Sequence, residues 1–100
     1  MPTHEETADF LREFDQLSEI EQRQFLDAVS DFVQLLKTGT LLSQMPKHIG
    51  LRRFHSRSGD LWEFRWGVDR RALLRYGISP IAGDIHIIWV SIGTHAICKK

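Results

Sequence analysis

The sequence predicts an α+β fold: an N-terminal helical hairpin packed on an antiparallel β-meander of three to four strands. Three observations predict it. Apolar residues in the first third recur with a period near 3.6, as on the buried stripe of a helix. Residues 61–76 alternate with a period of two, as in strands with one buried face. Residues 85–92 are almost continuously apolar, as in a strand covered on both faces. Helices followed by consecutive strands give a segregated α+β arrangement, and 100 residues give a single domain, 1–100.

The elements follow in order. Thr3 with Glu6 and Ser18 with Glu21 have the capping-box spacing, in which a hydroxyl and a carboxylate three positions apart satisfy free N–H groups at a helix start. Behind the first box come Phe10, Phe14 and Leu17. Behind the second come Phe25, Val29, Phe32 and Leu36, with Leu26 and Val33 alongside. Helices are expected over residues 4–16 and 19–37, the second stopped by Gly39. Residues 39–48 form a connector. Residues 49–55 alternate weakly. In 61–68, Trp62, Phe64, Trp66 and Val68 point one way and Leu61, Glu63 and Arg65 the other. A turn at Gly67-Val68-Asp69-Arg70 leads into 71–76, where Ala72, Leu74 and Tyr76 oppose Arg71, Leu73 and Arg75. Residues 77–83, with Pro80 inside, form a loop. Ile85 to Ile92 form the central strand, broken by Gly93, with Thr94 and His95 following.

The 13 basic and 13 acidic side chains cancel, which at first argues against a nucleic-acid binder. The total conceals a division. Residues 1–50 hold four basic and nine acidic side chains, a net of −5, and residues 51–100 hold nine and four, a net of +5. Cys98 is the single cysteine, so an internal disulfide and a cysteine-rich zinc site are excluded and a reducing compartment is expected. The acidic N-terminus has no apolar core, so no signal peptide is expected. No apolar run approaches the ~20 residues that span a bilayer. A soluble, cytoplasmic protein is expected.

Arg53 and His55, Glu63 and Arg65, and Arg71 and Arg75 fall at alternating strand positions. They are expected to form one basic patch on the sheet face away from the helices. Guanidinium groups on a rigid sheet suit phosphates, because each offers a planar fork of donors. The alternative is a solvated face whose charges merely oppose the core. Among His48, His55, His86 and His95, the last sits at the end of the most apolar strand, where a general acid or base is well fixed. His86 reads as a satisfied sheet residue and His48 as a loop residue. Trp62, Phe64 and Trp66 read as core, and Tyr76 stays open between core and base stacking. There is no His-Glu-x-x-His, P-loop, nucleotide fingerprint or serine triad, so neither metal nor cofactor is expected.

The run Gly59-Asp60-Leu61-Trp62-Glu63-Phe64-Arg65-Trp66, then Arg71-Ala72-Leu73-Leu74-Arg75-Tyr76, Ile87-Ile88-Trp89-Val90 and Gly93-Thr94-His95-Ala96, resembles the RelE/ParE superfamily of toxins from type II toxin–antitoxin modules. The final Gly-Thr-His-Ala resembles the YafQ-type branch. The resemblance covers the chain from about Phe10 onward. It implies a metal-independent endoribonuclease that cuts mRNA at the ribosome and is held inactive by a cognate antitoxin. It further implies His95 as general acid or base and Arg71, with Arg65 beside it, as the cations on the phosphate. His55 and Glu63 are weaker candidates for the opposite proton transfer, and Arg53, His55, Arg75 and Lys99 are expected to contact RNA. Many members begin with a β-strand, which the helical signal at residue 4 implies is lost or shortened here. The alternatives are a ParE-like toxin that binds gyrase without catalysis, and a decayed toxin acting as a protein-binding module, including by self-association of acidic helices with a basic sheet.

Overall fold

Ser18 starts the longer helix as its spacing predicts. In a computed structural model that describes residues 3–56, 59–79 and 83–99, with side chains excepted at 54–56, 59, 95 and 99, the Ser18 hydroxyl accepts from Glu21 N at 3.2 Å and Glu21 Oε1 accepts from Ser18 N at 3.0 Å. That closed box opens helix α2, Glu19–Lys37, preceded by helix α1, Ala8–Asp15.

The first box does not form. Residues expected to begin a helix at position 4 are instead strand β1, Thr3–Glu6, so the edge strand is present, with four residues. The α1 cap is Thr7, whose hydroxyl accepts from Phe10 N at 3.1 Å. The reason is tertiary. Strand β5, His86–Thr94, has an edge whose peptide groups need partners, and β1 pairs with it in parallel, from Thr3 opposite His86 to Glu6 opposite Trp89.

The remaining strands are β2, Leu51–Ser56, β3, Gly59–Gly67, and β4, Arg70–Tyr76. The sheet order is β1-β5-β4-β3-β2, five strands with antiparallel pairing from β2 through β5. The meander is as expected, with the parallel edge added. Strand β5 is interior, and Ile87, Ile88, Trp89 and Ile92 are buried. Beyond β1 the helix takes over its edge. Thr7 Oγ1 donates to Val90 O at 2.8 Å, and Glu13 Oε1 accepts from Ser91 Oγ at 2.8 Å and Ile92 N at 3.3 Å. These bonds lie where the β4–β5 register slips, between Leu74 opposite Trp89 and Leu73 opposite Ser91, so α1 satisfies groups that the irregular ladder leaves over.

Residues 39–48 hold two short 3₁₀ turns, Leu42–Gln44 and Lys47–Ile49. The second ends at Gly50, φ +76°, where a Cβ would stand 3.1 Å from Arg65 O. Glycine alone lets the chain reverse so close to β3. Both helices cover one sheet face. Phe10, Phe25, Phe32 and Leu36 pack on Phe64, Trp66, Ala72, Leu74, Ile87 and Trp89. Val68, expected to align with the tryptophans, lies exposed in the β3–β4 turn, because that turn rotates out of the strand's alternation. Among the described residues no helix is long and apolar enough to cross a membrane.

Two outcomes are expected. Phe25→Ala costs about 3–5 kcal/mol in urea unfolding, the range for a truncated core aromatic. Ser18→Ala costs about 1 kcal/mol. It also returns the Glu21 carboxyl toward its ordinary value of 4.5, from which the two Ser18 hydrogen bonds, followed by the Arg70 charge, hold it down. Because the folded value is depressed, this contribution is present above that ordinary value and lost as pH falls through the folded one. NMR titration of Glu21 in both proteins checks it.

Candidate active site

Directly opposed residues in an antiparallel pair share a face, so register assigns every charge to one side of the sheet. Glu63 opposes Leu73, and Arg65 opposes Arg71. With Leu61, these stand on the open face, away from the helices. On β2 the expected phase is shifted by one. Arg52 opposes Glu63, whereas Arg53 opposes Trp62 and His55 opposes Asp60. Arg53 therefore belongs to the helix-bearing side, where it ion-pairs with Asp60. Arg52, unmarked in the sequence, is the β2 arginine of the open face, its Nη2 at 3.8 Å from Glu63 Oε2. The weak alternation of 49–55 did not set the phase, because two adjacent arginines fit either face.

The open face is neither fully solvated nor uniformly basic. Arg71 is drawn inward, its side chain only 14% exposed. Its Nε donates to Glu63 Oε1 at 2.7 Å and its Nη1 to Arg70 O at 2.9 Å. Glu63 is 9% exposed, and its Oε2 has no conventional hydrogen-bond partner. Arg65 is exposed, and among the described residues no carboxylate or carbonyl holds its guanidinium. One arginine is thus clamped and its neighbour is available. The two Cβ atoms are separated by about 4.5–5.5 Å, the usual spacing of directly opposed residues. Like charges so placed repel, and an anion between them relieves the repulsion.

The C-terminal 3₁₀ turn, His95–Lys99, lies against this face. Gly93 pairs with Arg71 and Thr94 with Arg70, so the His95 backbone follows one step beyond the start of β4. The side chains of His95, His55 and Lys99 lie outside the described residues. Ile97 packs on Leu61 and Leu73, with Val90 and Cys98 at the margin. The sequence carried a signal of this cover. Leu61 and Leu73 alternate with charges on a face that full solvation would leave polar. The Cys98 thiol sits beside Glu63. Burial first, then the Glu63 charge and a hydrogen bond to that carboxylate, push it up to about 11 from 9.0.

Other candidates separate from this group. Arg75 is exposed at the end of β4, its Nη1 at 3.5 Å from Tyr76 O. His48 is exposed in the connector. His86 is buried and satisfied, as its position suggested: Nδ1 lies 2.6 Å from Thr3 Oγ1 and Nε2 lies 2.9 Å from Glu5 Oε1. Among the described residues no three His, Cys, Asp or Glu side chains group as metal ligands.

No protein-family model matches the chain, and no curated protein sequence does. Solved structures do. A YoeB/ParE toxin from Agrobacterium tumefaciens superposes with a TM-score of 0.64 at 12% identity, covering 93% of this chain and 98% of that one. YafQ from E. coli strain BL21(DE3) superposes with a TM-score of 0.62 at 13% identity, covering 97% of each chain. A histidine-to-glutamine mutant of E. coli YafQ superposes with a TM-score of 0.60 at 12% identity, again over 97% of each chain. The chain has the fold of these toxins. The correspondence covers nearly the whole chain.

Replacing Glu63 by Gln is expected to cost about 3–5 kcal/mol, because it strands the buried Arg71 charge. The Glu63→Met/Arg71→Met double variant recovers most of that loss, since no buried charge is left unpaired; urea unfolding of the three proteins measures both effects. The Cys98 thiol alkylates with iodoacetamide at a rate that climbs toward pH 11, well above the range of an unperturbed cysteine.

Proposed function

We propose that this chain is the toxin of a toxin–antitoxin pair and acts as a metal-independent endoribonuclease on mRNA at the ribosome. The observation that carries the reading is the Arg65–Arg71 pair on the open sheet face, with the His95 backbone two residues beyond the Gly93 that opposes Arg71, in a fold shared with the YoeB/ParE and YafQ toxins. RNA is its own nucleophile. The 2′-oxygen loses its proton to a base and bonds to the adjacent phosphorus, and the bond from phosphorus to the 5′-oxygen breaks. That oxygen takes a proton from an acid, leaving a 2′,3′-cyclic phosphate and a 5′-hydroxyl. No metal is required if cations neutralise the charge that builds on the phosphate oxygens.

The roles divide accordingly. Arg65, exposed and unclaimed by any described carboxylate, meets the phosphate. Arg71, oriented by Glu63 and the Arg70 carbonyl, lends a fixed second charge with little reorganisation. His95 takes or delivers a proton. Because 13 positive and 13 negative side chains cancel over the whole chain, long-range attraction to RNA is weak, and presentation of the message by the ribosome supplies what steering does not. The partner is an antitoxin that covers this face.

The test adds the purified chain to a translating extract and maps new 5′ ends on the message. Ends at A-site codons are expected, and His95→Ala and Arg65→Gln lower their yield by about a hundredfold or more while circular dichroism stays unchanged. Absence of new ends, or ends equally abundant with His95→Ala, overturns the reading. Inhibition of DNA supercoiling that is indifferent to His95→Ala assigns the chain to a gyrase-binding role instead.

A further inference from the structure

A second set of side chains lies on the other side of the sheet, where the helices do not reach. Arg53 opposes Trp62 across β2 and β3. Tyr76 is two residues from Leu74, which opposes Trp62 across β3 and β4, so Tyr76 shares that face. Together with Ser43, Asp60 and Arg75, which alternation sets on the Arg71 face of β4 but which borders the cleft at the strand's end, they line an open cleft of about 760 Å³. That volume falls in the range of small-ligand sites, roughly 300–1,000 Å³.

The aromatics in this cleft differ from those of the core. Ring-to-ring contacts tie Phe10, Phe14, Phe25, Phe32, Phe64, Trp66 and Trp89 into one cluster. Among the described residues no ring lies against Trp62 or Tyr76. Trp62 is the one tryptophan that is not fully buried, and Tyr76 is exposed. Both are held in place all the same. Trp62 packs its inner side on the core, and the Tyr76 hydroxyl accepts from Leu42 N at 2.9 Å. Arg53 and Arg75 bring two positive charges, against the single Asp60 carboxylate that pairs with Arg53.

We propose that Trp62, Tyr76, Arg53 and Arg75 form a binding site for one unpaired nucleotide of a nucleic-acid strand, its base stacked on an aromatic ring and its phosphate on a guanidinium. Stacking on aromatic faces suits any base, and backbone charge suits arginine, so the site reads single-strandedness rather than sequence. An acidic peptide matches the charge but leaves two fixed ring faces without a planar partner. The site extends the proposed action on RNA, and in that sense rests on it. Its two rings and Arg53 lie on the opposite face from Arg65, however, and the site holds the strand at a second point rather than cutting it.

The test uses a single-stranded deoxytrinucleotide, which has no 2′-hydroxyl and cannot be cleaved, so binding here and cleavage elsewhere read separately. Trp62 fluorescence reports occupancy, Trp66 and Trp89 being buried. Saturable quenching is expected. Arg53→Gln and Arg75→Gln, both at exposed positions, weaken it, and Trp62→Phe abolishes the signal. Trp62→Leu, followed by calorimetry, lowers affinity at least about fivefold, as loss of one base–aromatic stack does. Unchanged circular dichroism and urea midpoint certify the fold of each variant. No saturable quenching, or quenching indifferent to both arginine variants, overturns the site even if the translating extract shows cleavage. Binding of an acidic peptide where the trinucleotide does not bind also overturns it, in favour of a protein partner.

Discussion

Phe25 stands among five other rings, with centroids 6.0 Å from Phe10, 6.0 Å from Phe14, 6.1 Å from Phe64, 5.8 Å from Trp66 and 5.4 Å from Trp89. Three of these contacts cross from the helices to the sheet. They bury one face of β3 and β5 under α1 and α2, and edge-on ring pairs of this kind add stabilisation beyond the area they hide. Strands alternate, so this choice of buried face settles the other one. With Phe64 and Trp66 inward, Glu63 and Arg65 stand on the opposite side. The charges of the open face follow from where the aromatics went.

What happens on that open face is a matter of competing costs. A buried guanidinium is expensive without a partner, and Glu63 together with the Arg70 carbonyl supplies one for Arg71. Such a pair adds little net stability, yet it fixes an orientation. Arg65, directly across the ladder, has no such tie among the described residues and remains in solvent. The same strand pairing thus makes two unlike cations from two like residues. The C-terminal turn closes part of the face by setting Ile97 on Leu61 and Leu73, and it brings the Cys98 thiol up against Glu63.

Much of this was legible beforehand. The capping box at Ser18 and Glu21, the extent of α2, the phase of β3 and β4 and the interior position of β5 all follow from local chemistry and periodicity. They are visible because each depends on residues close in the chain. The phase of β2 was not visible, since Arg52 and Arg53 are chemically alike and only pairing with β3 tells them apart. Residues 3–6 depart from their local pattern for a similar reason. Thr3 and Glu6 have the spacing of a helix cap, but the peptide edge of β5, more than 80 residues away, captures them as a strand. Alternation alone does not place Tyr76; Leu42, folded back from the connector, donates to its hydroxyl and fixes the ring.

The sequence by itself determined the layers: two amphipathic helices, a meander, and a division of charge that puts the positive side chains in the β half. These are consequences of period and composition, and no distant contact is needed to produce them. The tertiary structure decided which side chains meet. It paired Arg52 with Glu63, sent Arg53 to the far side beside Trp62, clamped Arg71 while leaving Arg65 exposed, and brought the backbone of His95 next to them. The physical reason is that a ladder's register, not the residues within one strand, fixes which groups stand opposite one another, and a shift of a single residue moves every side chain of that strand to the other face.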